Sequence, residues 1–77
     1  MKRVLIGNDS NGKIYSIKHK KVDGISFNLI ERADTLGDAI YHIERTDFSG
    51  WHAKVSRDIK DLNTALELFN VIEYART

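Results

Sequence analysis

Apolar and polar positions alternate along the first thirty or so residues of the chain, and then the period changes. Residues 2–7 (KRVLIG) are short and β-branched and run into Asn8-Asp9-Ser10-Asn11-Gly12, residue types that favour tight turns. Residues 13–20 set Ile14, Ser16 and Lys18 against Tyr15, Ile17 and His19, which predicts a hairpin with Asn11-Gly12 at or near its turn. A second turn at Asp23-Gly24 leads into residues 25–30, where Ile25, Phe27 and Leu29 share one face and Ser26 and Asn28 the other. Three antiparallel strands in a meander follow from this pattern.

From Ala33 onward the spacing of apolar residues lengthens towards that of a helix. Asp34 or Thr35 is a suitable N-cap, Asp38 places an acid in the first turn, and Leu36, Ala39, Ile40 and Ile43 fall at i, i+3, i+4 and i+7. The pattern predicts a short amphipathic helix ending near Arg45, then a loop over residues 46–50. Residues 51–56 alternate Trp51, Ala53 and Val55 against His52, Lys54 and Ser56, which predicts a fourth strand. A last helix, capped by Asp61 or Asn63, is expected to run through Leu62, Ala65, Leu66, Phe69 and Ile72 to about Ala75. The expected fold is therefore α+β: a two-layer sandwich in β-β-β-α-β-α order, with two helices packed on one face of an antiparallel sheet. Leu36, Ile40 and Ile43 would join Leu62, Leu66, Phe69 and Ile72 on its helical side.

Composition narrows the chemistry. The chain has 77 residues, no cysteine and no proline. That length predicts a single domain over residues 1–77, and the missing cysteine excludes disulfides, thiolate metal sites and cysteine nucleophiles. No apolar run reaches membrane-spanning length, so a cytoplasmic protein without membrane contact is expected. Charge is informative by position: residues 1–22 hold six basic residues against Asp9 alone, a net +5, whereas residues 23–77 hold six basic and ten acidic, a net −4. A basic hairpin on an acidic body offers two readings. Lys2, Arg3, Lys13, Lys18, Lys20 and Lys21 can track a nucleic-acid backbone, or lysines can protect an exposed edge strand from aggregation. A pI near 8.0 is low for a general nucleic-acid binder.

Catalytic and metal motifs are absent. Aligning Gly12 with the sixth position of a calcium loop leaves Gly7 and Lys18 where oxygen ligands are needed. His19, His42 and His52 stand in no metal-binding spacing, and there is no nucleophile elbow, Walker loop or dinucleotide fingerprint. Asp34, Asp38, Asp58 and Asp61 sit where helix caps are expected. The expectation is a protein that is not an enzyme and carries no metal or cofactor. Apolar residues in excess of one buried stripe point elsewhere: Val71 and Tyr74 face away from the core side of the last helix, and Phe48 and Trp51 flank Ser49-Gly50. These four are candidate contacts with a protein partner or a second copy, with the core as the competing place for Trp51.

Residues 33–40 (ADTLGDAI) resemble the strand-to-helix junction of HicB-type antitoxins, and the β-β-β-α-β order is similar to theirs, although the family's Gly-Cys strand pattern is lacking. The resemblance implies a protein that binds and blocks another protein. The leading expectation is thus a non-enzymatic protein-binding module, an inhibitor or antitoxin-like regulator of the kind small phage and mobile-element genes encode, docking on a charged partner. The alternative is a nucleic-acid-associated protein using the basic hairpin.

Overall fold

The computed structural model describes residues 2–72. Five strands form one antiparallel sheet: β1 (Val4–Asp9), β2 (Gly12–Val22), β3 (Ile25–Ala33), β4 (Ala39–Thr46) and β5 (His52–Lys54). Their spatial order is their chain order, so every strand pairs with its successor. A helix, α1 (Leu62–Val71), follows and packs on one face.

The turns explain the meander. Asp23 and Gly24 carry φ of 54° and 83° between the paired Val22 and Ile25, the positive-φ geometry whose twist matches the strands it joins. At the first hairpin, Ser10 and Asn11 make the turn between Asp9 and Gly12, and the Asn11 N–H donates to Asp9 Oδ1 at 2.8 Å. A register shift between Ser16 and Lys18 marks a bulge in β2, where Ile17 is buried in the core. That core joins Ile17, Phe27, Leu29, Tyr41 and Ile43 of the sheet to Ala65 and Phe69 of α1.

The structure corrects the expected fold class. The described residues are mostly β with one helix, and among them no second helix packs beside α1. The segment expected to be helical is a tight turn followed by β4. Asp34 does cap, but it caps the turn: its Oδ1 accepts from the N–H groups of Leu36 at 2.9 Å and Asp38 at 3.0 Å. Gly37, at φ 88°, then reverses the chain into β4. Leu36, placed in the core by the helical pattern, is 84% exposed. Ile40, Tyr41, His42 and Ile43 are all buried, because the two faces of β4 are both covered there. Such a run satisfies i, i+3, i+4 spacing by accident, and its β-branched and aromatic residues favour the strand. The likeness to an antitoxin junction loses its helix with this correction.

β5 is shorter than expected, but beyond it the chain stays along β4: the Val55 N–H donates to Ile43 O, and Tyr41 and Ile59 exchange hydrogen bonds. Asp61 caps α1 as expected, accepting from the N–H and hydroxyl of Thr64 at 2.8 and 2.7 Å. The helix closes at Val71 with Ile72 as C-cap. Its expected last turn, and Tyr74 with it, lies outside the described residues.

Candidate functional site

The β4 to β5 connection, residues 47–51, is built by one carboxylate. Asp47 Oδ1 accepts from the Ser49 N–H at 3.0 Å, the Ser49 hydroxyl at 2.7 Å and the Trp51 N–H at 3.0 Å. Backbone bonds from Asp47 N to Trp51 O and from Gly50 N to Asp47 O close the loop. The Ser49 hydroxyl first, and the Trp51 N–H after it, hold the Asp47 carboxyl below the ordinary aspartate range. Phe48 and Trp51 project from this frame 87% and 69% exposed, so Trp51 is at the surface and not in the core.

Of the other two candidate contacts, Val71 falls near the same end, and Tyr74 lies outside the described residues. The Lys20 ammonium donates to Phe69 O at 2.6 Å and lies 5.0 Å from the Phe69 ring centroid. This ties the last turn of α1 to the row formed by Lys20, Phe27, Arg45 and Ala53, one rung from Thr46 where the 47–51 loop begins. Val71, on that last turn, is 70% exposed. Beside it a shallow depression is lined by Thr64, Glu67, Leu68 and Asn70.

The basic residues do not form one stripe. Lys18 and Lys20 oppose Leu29 and Phe27 and so share the helix-bearing face, whereas Lys21 opposes Ser26 on the other. Lys13 lies at the far end of β2, beside Tyr15 and Ala33. Lys2 shares a small depression with Val4, Ser16, Lys18 and His19. Two members are engaged internally: Lys20 by the helix C-terminus, where a cation is favoured, and Arg3 as described next.

A feature that sequence reasoning misses lies at the opposite end of the helix. Leu5, Tyr15, Glu31, Tyr41 and Ile59 form a continuous row across the sheet. The acid at its centre occupies the core face, and its side chain is only 13% exposed. Arg3 covers it: Nη2 donates to Glu31 Oε2 at 3.2 Å, Nε lies 3.0 Å from Oε1, and the guanidinium sits 5.3 Å from the Tyr15 ring centroid. Oε1 is fully shielded, yet among the described residues no donor meets it in hydrogen-bond geometry. Burial first, and the Glu31 carboxylate after it, push the Tyr41 hydroxyl pKa up, while Arg3 opposes the shift. A cleft of about 350 Å³ opens here between Arg3, Ile17, Glu31, Tyr41 and Leu62. The signal was present in the sequence: continuing the alternation Ile25, Phe27, Leu29 by one step lands an acid on an apolar face.

On the second face, buried His42 joins Arg32 Nε through Nδ1 at 3.4 Å and Glu44 Oε2 through Nε2 at 2.8 Å. Asp58, expected near a helix start, instead accepts from Arg32 and Lys54, both at 2.8 Å, and its carboxyl is held below the ordinary range by Lys54 foremost. Among the described residues no group of three His, Asp or Glu side chains is placed to hold a metal ion, and no helix is long and apolar enough to cross a membrane. Compared with protein-family models, curated proteins and solved structures, the chain matches none of them.

Proposed function

We propose that this chain is a non-enzymatic protein-binding module of the cytoplasm, a compartment its cysteine-free composition suits, and that it regulates a partner by occupying its surface. The observation that carries the reading is the 47–51 loop, which holds Phe48 and Trp51 out in solvent on a hydrogen-bonded frame. Burying each ring against a partner is worth on the order of 1.5–3 kcal/mol. A preformed loop also avoids much of the ordering cost of about 0.5–1.5 kcal/mol per side chain that a mobile one would incur. Aromatic anchors of this kind dominate binding energy at interfaces. Val71 adds apolar surface at the same end of the molecule.

The nucleic-acid alternative has less support, because its basic residues divide between the two faces and Arg3 and Lys20 are already engaged. Binding to single- or double-stranded nucleic acid that falls steeply with salt, and that disappears on replacing Lys18 and Lys21 with Gln, would reverse this preference.

Benzoylphenylalanine in place of Phe48 tests the reading in living cells. It is expected to cross-link one protein species, to lose that product when Trp51→Ala is added, and to give none when the probe replaces Lys13. Cross-linking no stronger at position 48 than at position 13, or indifferent to W51A, would overturn the proposal.

A further inference from the structure

The row Leu5, Tyr15, Glu31, Tyr41, Ile59 places a carboxylate where the fold would be served by an apolar side chain. A buried ion pair seldom stabilises more than well-packed hydrophobic residues of the same volume. The arrangement around Glu31 has the parts of a cation receptor. It has a carboxylate with two oxygens available to a fork of N–H donors, a tyrosine ring under the guanidinium, a second tyrosine next to the acid along the row, and apolar walls from Ile17 and Leu62 for an aliphatic stem. Among the described residues Glu31 Oε1 is still without a donor in good geometry, so Arg3 does not use the site fully.

Arg3 precedes the first residue of β1, its side chain is 59% exposed, and it can leave without breaking a strand pair. We infer that Tyr15, Glu31 and Tyr41 form a guanidinium-binding site which Arg3 fills in cis and which an arginine side chain of a partner protein takes over when Arg3 withdraws. Arginine fits better than lysine, because the planar fork meets both carboxylate oxygens while its face stacks on tyrosine. The inference shares with the proposed function only the premise of a protein partner. The site stands at the N-terminal end of α1, away from the 47–51 loop, and can be tested without the partner.

The experiment uses the full chain, its R3A and R3A/E31Q variants, and two probes: methylguanidinium and the blocked tripeptide acetyl-Gly-Arg-Gly-amide. Millimolar methylguanidinium is expected to raise the melting temperature of R3A, and to raise neither that of the unaltered chain nor that of R3A/E31Q. The tripeptide is expected to bind R3A at least about tenfold more tightly than the unaltered chain, because a tethered competitor at millimolar effective concentration has been removed. An R3A variant that gains nothing from methylguanidinium, or an R3A/E31Q variant that gains as much, overturns the site. Rescue by methylguanidinium without tripeptide binding overturns the partner side chain as occupant and leaves a site for small free cations. If R3A does not fold, the tripeptide is titrated into the unaltered chain: displacement of the Arg3 Nε resonance supports the inference, and an unmoved resonance overturns it.

Discussion

Gly37→Ala separates the turn-and-strand structure of residues 34–46 from the helix that their spacing suggests, because the two give opposite signs. In the structure Gly37 has φ 88°, and a Cβ built there meets nothing within 4 Å, so the whole cost is conformational. An alanine in the left-handed region costs about 1–2 kcal/mol. Alanine also narrows the unfolded ensemble, but where φ is positive the native strain outweighs that gain. A net loss of about 1 kcal/mol is expected, which for a domain of this size lowers the melting temperature by roughly 4–8 °C. In a helix the same substitution would remove a poor helix former from the interior and raise stability by about 0.5–1 kcal/mol. Urea denaturation followed by far-UV circular dichroism reads the difference as a displaced midpoint at constant slope. Trp51 fluorescence is a poor reporter here, since the indole is already largely solvent-exposed. A midpoint that is unchanged or moves to higher urea would refute the reasoning.

Phe69→Ala removes the largest buried side chain of α1 and is expected to cost about 3–5 kcal/mol, enough to unfold much of so small a domain at room temperature; a loss below about 1 kcal/mol by urea titration would mean that the helix is not docked as described. Phe48→Ala and Trp51→Ala are expected to stay within about 0.5 kcal/mol of the parent in stability, as suits exposed positions, so lost partner cross-linking in W51A would not reflect unfolding. Asp47, Asp58 and Asp61 all have carboxyls held below the usual 3.8 in the folded chain. The stability they bring is therefore complete above that value and is lost as pH falls through their folded pKa values. Urea midpoints at neutral and acid pH should show a smaller acid loss in D47N and D58N than in the parent, and equal losses would contradict the assignment.

The parts of this fold that could be read from the chain are those in which local chemistry and tertiary burial agree. Asp23-Gly24 demands a tight turn with positive φ, and Ile25, Phe27 and Leu29 need a single buried face. Asp61 ahead of an apolar stripe needs a helix, and the structure supplies each of these. β4 was hidden because Ile40, Tyr41, His42 and Ile43 are buried on both faces of a strand, which erases the period-two signal. Asp34 misleads for a related reason: a carboxylate that accepts from N–H groups two and four residues ahead serves a turn as well as a helix. Among the site residues, the exposure of Trp51 depended on Asp47 folding the loop outward, which spacing does not encode. The cradle around Glu31 required the register of the whole sheet.

The strand order of the sheet has a kinetic consequence. Because each strand pairs with its immediate successor, the sheet can grow hairpin by hairpin through short loop closures. The distant parts of the chain meet when α1 returns over β4 and β3, and Lys20 of β2 reaches the carbonyl of a residue 49 positions away. Docking of the helix is thus expected to be the late, entropically costly event, made after the folding barrier is crossed. Stopped-flow measurements on a milder variant, Phe69→Leu, are expected to show accelerated unfolding with refolding almost unchanged, whereas slowed refolding would place the helix in the nucleus.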